Sequence, residues 1–204
     1  MNSSRKFKAF LGFNWQWYLI ILLGVCLLFY YLFISLRTPS FDERINIFVA
    51  SSNVETDKLS EDLYVGFDDT PIKDVSIDFS SPNGAEFSIV FNTRATVNTD
   101  IIIMNTNYIN PGDYDKFFVG FTEEKIADYV PNGTDFYYDT DGLIYGICVS
   151  NYLKDCVDLD GNELYLFFNK NSEKIAELSD KSNNNYALIT LKNICERMVS
   201  DEKN

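Results

Sequence analysis

The sequence predicts an α/β protein: an open, mostly parallel sheet flanked by helices, preceded by one transmembrane helix. Three observations predict it. No charged residue occurs from Ala9 to Leu36. Beyond that stretch, short β-branched and aromatic runs alternate with amphipathic ones at the spacing of βαβ units. Clusters of Ser, Asn, Asp and Gly punctuate the runs, as turns require.

The first element is the anchor. Residues 18–36 are almost wholly apolar, and about 20 such residues span the hydrocarbon core of a bilayer. Arg5, Lys6 and Lys8 precede the run, and only Arg37 closely follows it. That bias predicts a cytoplasmic N-terminus (1–17), a transmembrane helix (18–36), a linker (37–43) and an extracellular domain (44–204) on the cell membrane. Trp15, Trp17 and Tyr18 suit headgroup depth at one end, and Tyr30 and Tyr31 at the other. A cleaved signal peptide is a poor fit, because the apolar run is long and its exit, Ile34-Ser35-Leu36-Arg37-Thr38-Pro39, lacks a small-x-small site. Cys26 is followed by a further apolar run, so it does not read as a lipoprotein cysteine.

The domain elements follow in order. Residues 44–50 (RINIFVA) predict a buried strand ending at Ser51-Ser52-Asn53, with Ser52 or Asn53 capping a helix over 54–64. Val75, Ile77 and Phe79 alternate within 74–80, as in a strand. Ser81-Pro82-Asn83 then opens a helix over 84–96 with Ala85, Ile89 and Thr93 on one face. Residues 100–104 (DIIIM) predict the clearest buried strand. Short helices are expected at 114–118 and 123–129, and strands at 136–138, 143–149 and 163–168. A closing helix over 184–198 presents Ala187, Leu188, Leu191 and Ile194 on one face.

Charge and composition exclude several functions. The chain carries 17 basic and 30 acidic residues. Four of the basic residues and none of the acidic ones lie before Phe41, which leaves 13 basic against 30 acidic from Phe41 onward, a net of −17. Such a domain repels nucleic acid, so no nucleic-acid partner is expected. It also repels anionic headgroups and should stand off the membrane surface. Histidine is absent, which removes the commonest general base and metal ligand. There is no Gly-rich phosphate loop, GxSxG or HExxH. No catalytic site, metal or cofactor is expected, and the chain reads as a non-enzyme.

Two Asp-x-Asp-Gly segments, ending at Gly142 and Gly161, superficially suggest calcium. An EF-hand needs an acidic ligand five residues before its glycine, where this chain has Tyr137 and Cys156. Both segments read instead as tight turns. Cys148, Cys156 and Cys195 lack CxxC spacing. In an oxidising exterior Cys148 and Cys156 have the option of pairing across neighbouring strands, leaving Cys195 free. The other reading, which the commonness of buried free cysteines favours, is that they are buried small hydrophobes.

Two segments carry a resemblance. Residues 99–109 (TDIIIMNTNYI) resemble the place in bacterial extracellular solute-binding proteins where a strand of the first lobe meets the ligand cleft. Residues 136–147 (FYYDTDGLIYGI) are similar to the "dG–YGI" strand before the hinge of that family. The likeness covers roughly 44–149, with a weaker fit of the final helix. The departure is at the C-terminal side: about 55 residues follow Val149, too few for a second lobe. The resemblance therefore implies one lobe of a two-lobe, periplasmic-binding-protein-like molecule, with an open half-site that a second lobe, a dimer or a transporter permease would complete. It implies a membrane-anchored solute-binding-like or accessory module of an ABC-type uptake system, for a sugar or similar polar solute. The alternative is a non-catalytic scaffold of a membrane complex that has lost its ligand.

Candidate contact residues follow from sheet physics. In open α/β sheets, ligands sit outside the carboxyl ends of the strands. The first three strands end in Ser51-Ser52-Asn53, Ser80-Ser81 and Asn105-Thr106-Asn107-Tyr108. If those strands are parallel and adjacent, the turns converge, with Tyr108 as an apolar face among hydrogen-bonding groups. Each residue alone is also an ordinary cap or turn former.

Overall fold

The structure, a computed structural model, describes residues 3–65, 67, 70–159, 161–176, 178 and 185–201. Residues 1–40 and 41–204 form two separate units. The first is one helix, α1 (Ser3–Arg37), whose apolar part covers Trp15–Arg37, 23 residues. At 1.5 Å per residue that is about 34 Å, enough to cross a hydrocarbon core of about 30 Å. Its apolar side chains from Trp15 to Leu36 are exposed on every side, as suits a lipid-facing helix rather than a core helix. Thr38 ends it by donating its Oγ1 and backbone N–H to Ile34 O, each at 2.9 Å.

The second unit is a six-stranded sheet with helices around it. Strand β1 (Arg44–Ala50) leads through α2 (Thr56–Tyr64) to β2 (Asp74–Ser80). The chain returns through a helical stretch over 87–98 to β3 (Ile101–Met104). That stretch is α3 (Phe87–Val90), a π turn (Phe91–Ala95) and α4 (Thr96–Asn98). After α5 (Glu123–Ile126) come β4 (Phe136–Tyr138), β5 (Ile144–Cys148), α6 (Ser150–Leu153), β6 (Tyr165–Phe168) and α7 (Tyr186–Asp201). The strand order is β2-β1-β3-β6-β5-β4.

Connection length decides strand direction. The two crossovers through helices leave β2, β1 and β3 parallel. The four-residue turn at Asp139–Gly142 forces β4 and β5 antiparallel, because a tight turn cannot join parallel strands. Strand β6 inserts between β3 and β5, antiparallel to both. Four of the six strands thus share one direction, while three of the five junctions are antiparallel. The sheet is mixed: parallel in its first half and antiparallel in its second.

Alternation along β1 and β3 makes two cores. Ile45, Ile47, Val49, Ile101 and Ile103 face Leu59 and Leu63 of α2 and Ala187, Leu188, Leu191 and Ile194 of α7. Phe48, Ile102 and Met104 face an aromatic layer containing Phe87, Phe91, Tyr114 and Phe118. The predicted face of the last helix is the buried one, with all four residues at 0% exposure. Its predicted start, Asn184, lies outside the described residues.

Three expectations are corrected. The helix at 84–96 begins at Phe87, and its predicted face is the wrong one. Ala85, Ile89 and Thr93 are exposed, while Phe87, Phe91 and Ala95 are buried. Two aromatic rings bury more apolar area than Ala85 and Ile89 would, so they decide which side faces the sheet. The helix at 54–64 begins at Thr56, with Glu55 in the cap position and no side-chain cap bond. Ser52 and Asn53 do not cap it, because Val54 is drawn into a bridge with Val157 and Asn53 O accepts Asp158 N–H. The helices at 114–118 and 123–129 shorten to a 3-10 turn (Tyr114–Lys116) and to α5.

At the amino edge of the parallel strands sits a buried polar network. Asp100 Oδ2 accepts Lys174 Nζ at 3.0 Å and Asn46 N–H at 2.9 Å, and its Oδ1 accepts Ser172 Oγ at 2.6 Å. Lys174 Nζ also donates to Arg44 O and Phe41 O. Asn169, fully buried, donates its amide to the carbonyls of Ala95, Thr96 and Thr99 at the end of the helical stretch 87–98. These bonds satisfy carbonyls that a helix end leaves orphaned.

Candidate functional site

The condition set by the sequence for a shared site is met in part by topology. Strands β2, β1 and β3 are parallel neighbours, with Ala50 beside Ser80 and Val49 beside Ile103. Their carboxyl ends are level, so residues 51–53, 80–81 and 105–108 lie along one edge of the sheet. The loop before β6 joins the same edge. Ser51 Oγ donates to Asp158 O at 2.7 Å, and Asn105 Nδ2 donates to Glu163 O at 3.0 Å.

The nine candidates then divide by what their side chains already hold. Ser51 is 1% exposed, and its Oγ also accepts Asn53 N–H at 3.3 Å. Asn105 is nearly buried, and its Oδ1 caps the 3-10 turn Thr106–Tyr108 through Asn107 N–H at 2.8 Å. The carbonyl of Thr106 accepts Tyr114 Oη at 2.6 Å. Ser51 and Asn105 are thus structural ties through their side chains, and Thr106 through its carbonyl. Ser52, Asn53, Asn107 and Tyr108 are exposed, and Ser80 and Ser81 are half-buried. Ser52 Oγ donates to Asp158 Oδ2 at 3.3 Å. Tyr108 is 36% exposed, and its ring lies 5.1 Å from that of Phe87, tilted by 54°. The edge therefore offers hydroxyls, amides and one half-open aromatic ring.

Asp158 and Glu163 border this edge, and the sequence reading did not include either. No local signal marks them, because they arrive from more than 100 and nearly 60 residues away along the chain. Glu163 Oε2 accepts Tyr165 Oη at 2.9 Å; burial first, then that carboxylate, pushes the Tyr165 hydroxyl up.

Asp139–Gly142 is a turn, with Gly142 N–H on Asp139 O, and beside the second Asp-x-Asp-Gly segment Asn162 N–H donates to Leu159 O. Gly142 and Gly161 adopt φ of +79° and +73°, the left-handed region that favours glycine. Asp141 Oδ1 accepts Leu143 N–H at 2.9 Å, and its Oδ2 accepts Tyr145 Oη at 2.7 Å. Asp139 Oδ1 accepts Gly112 N–H at 2.7 Å. Asp160 lies outside the described residues. Among the described residues, no group of three or more His, Cys, Asp or Glu side chains is placed to hold a metal ion.

No disulfide joins the cysteines in this structure. Cys156 is not on a strand beside Cys148 but follows α6, with its Sγ on Leu153 O at 3.6 Å. Cys148 Sγ lies 3.7 Å from Ser150 Oγ. Burial pushes the Cys195 thiol up to about 12.

A shallow pocket of about 220 Å³ lies away from this edge, lined by Asp115, Phe118, Gly120, Tyr145 and Lys170 among others. It is smaller than the 300–1,000 Å³ range usual for small-molecule sites.

Fold and edge together define a mixed α/β domain behind one N-terminal helix long and apolar enough to cross a membrane. No family model, no curated protein and no solved structure matches the chain.

Proposed function

We propose that the chain is a membrane-anchored, extracytoplasmic, non-catalytic module of an ABC-type uptake system, one lobe of solute-binding-protein type. Its carboxyl-edge turns would meet a sugar or similar polar solute together with a permease or a second lobe. The observation that carries this reading is the levelling of three parallel strand ends, which brings Ser52, Asn53, Ser80, Ser81, Asn107 and Tyr108 to one edge. Amides and hydroxyls beside an aromatic face suit a polar ligand with apolar C–H surfaces. The basic residues Arg5, Lys6 and Lys8 before the apolar run support a cytoplasmic N-terminus and an extracellular domain.

A second reading, a scaffold without a ligand, is favoured by one observation. Three of the nine candidates, Ser51, Ser52 and Asn105, hold internal hydrogen bonds with their side chains, and the pocket described above is lined by none of the nine. Calorimetry of the full chain in detergent against a panel of sugars and short peptides separates the two. Heat of binding for a sugar supports the solute reading. Silence across the panel, with a permease co-purifying, supports the scaffold. Silence with neither permease nor binding protein attached rejects both.

A further inference from the structure

Two Asn-Gly pairs occur in the domain, Asn83-Gly84 and Asn132-Gly133. Such a pair has a reaction of its own. Glycine has no Cβ, so its backbone nitrogen can swing onto the side-chain carbonyl of the asparagine before it. The fold treats the two pairs differently.

Asn132-Gly133 is the centre of a turn. Thr134 N–H donates to Pro131 O at 3.3 Å, and Thr134 Oγ1 donates to the same oxygen at 2.7 Å. Gly133 stands at φ +86°, close to what a type II turn asks of its third residue. Pro131 and Thr134 carry the bond of the turn, and the peptide between Asn132 and Gly133 stays outside it. Among the described residues, neither the Gly133 N–H nor the Asn132 side chain has a hydrogen-bond partner. Both residues are exposed, and nothing lies within 4 Å of where a Cβ on Gly133 would be. Attacking nitrogen, amide and water therefore meet in the open.

Asn83-Gly84 is exposed too, yet its glycine is held at both ends. Gly84 N–H donates to Ser81 O at 3.0 Å, and Gly84 O accepts Phe87 N–H at 3.1 Å, where α3 begins. That nitrogen must leave a hydrogen bond before it can attack.

We infer that Asn132 is a site of spontaneous covalent modification, where ring closure by the Gly133 nitrogen converts the asparagine to aspartate and isoaspartate, while the fold spares Asn83. Gly133 N bonds to Asn132 Cγ, and the Cγ–Nδ2 bond breaks. The amide nitrogen leaves as ammonia, taking the proton from Gly133 N. Water then opens the cyclic imide. Cleavage between Cγ and the glycine nitrogen restores the ordinary backbone with an aspartate. Cleavage at the main-chain carbonyl leaves the chain running through Cγ, one methylene longer. Either product adds one negative charge, taking the net of the unit from −17 to −18. The longer backbone falls just before Asp135, whose carbonyl accepts Cys148 N–H at 2.9 Å. It loosens the entry to β4, the edge strand whose sheet neighbour is β5. The site involves none of the candidate ligand residues and stands or falls apart from the uptake reading.

The test incubates the full chain, purified in detergent, at mildly alkaline pH and follows it by peptide mapping with mass spectrometry. The peptide holding Asn132 should gain one dalton with time and split into two chromatographic forms. Its rate should rise with pH, because the Gly133 nitrogen must shed a proton. The peptide holding Asn83 should react about tenfold more slowly, the rate equivalent of one lost hydrogen bond. In guanidinium chloride the two should react at similar rates, which assigns the difference to the fold. Asn132→Gln should abolish the gain in its own peptide with the melting temperature unchanged, and Asn83→Gln should leave the Asn132 reaction as it was. An Asn132 peptide that keeps its mass, equal rates at the two sites in the folded chain, or a gain that survives Asn132→Gln would each overturn the inference.

Discussion

The Asp100 carboxylate and the Lys174 ammonium meet at 3.0 Å in the interior, with their side chains 2% and 6% exposed. Asp100 heads β3, and Lys174 lies just beyond β6. The pair also takes in the start of β1, through Asn46 N–H and Arg44 O, and Phe41, whose ring lies 4.7 Å from the ammonium. Removing one partner of such a pair leaves the other charged and unpaired in a low-dielectric setting. Lys174→Ala should cost about 3–5 kcal/mol, a large part of a stability of about 5–15 kcal/mol. Adding Asp100→Asn to Lys174→Met should recover part of the loss seen with Lys174→Met alone. Urea denaturation followed by circular dichroism reads both; a Lys174→Ala midpoint equal to that of the parent would show the pair to be inessential.

Ile102 is fully buried at the middle of β3 in the aromatic core. Ile102→Asp places a carboxylate with no partner there and should cost several kcal/mol. The expected result is an insoluble or unfolded domain. A soluble variant with the parent melting temperature would contradict the assignment of β3 to the sheet centre.

Gly146 shows how tightly that aromatic core is closed. A Cβ on Gly146 would lie 2.9 Å and 3.1 Å from ring atoms of Phe167 and 3.2 Å from Tyr137 Cβ. Gly146→Ala should therefore destabilise by about 1–3 kcal/mol through overpacking. Pairing it with Phe167→Leu should give a smaller loss than the sum of the two single changes, measurable as a double-mutant cycle.

Asp141 gives a pH-dependent prediction. Leu143 N–H and then Tyr145 Oη hold its carboxyl below the ordinary 3.8. A carboxyl depressed in the folded state adds stability above its unfolded value, and that stability is lost as pH falls through the lower folded value. The turn at Asp139–Gly142 should thus loosen only below about pH 4. A carboxyl-carbon NMR titration should place Asp141 below its unfolded value in the parent and closer to it in Tyr145→Phe. A titration that Tyr145→Phe leaves in place would remove the tyrosine from the account.

What the sequence made legible is what short-range pattern encodes. The run 44–50, the alternation of 74–80 and the four apolar residues of the last helix all appear in the structure where periodicity put them. The insertion of β6 between β3 and β5 was not legible, because antiparallel pairing across more than 60 residues leaves no periodic mark. The buried partner of Asp100 was hidden for the same reason. On the helix 87–98 the pattern held two apolar stripes, and only packing against Phe48 and Ile102 shows which one is inside. At the candidate edge, the types of residue were readable but not their engagements. Ser51 and Asn105 are hydrogen-bonded to Asp158 and Glu163, residues remote in sequence.

The central claim is that the carboxyl edge of β2, β1 and β3 is where this domain meets its ligand or permease. The most direct measurement compares the parent chain with the triple variant Asn53→Ala, Asn107→Ala and Tyr108→Ala. All three side chains are exposed, so the fold should persist, as unchanged circular dichroism and melting temperature would verify. Solute affinity by calorimetry, or permease recovery from solubilised membranes, is then read for both proteins. The account predicts a loss of binding or recovery of at least tenfold in the folded triple variant. Unchanged binding in a folded triple variant would contradict it and place the contact surface elsewhere on the domain.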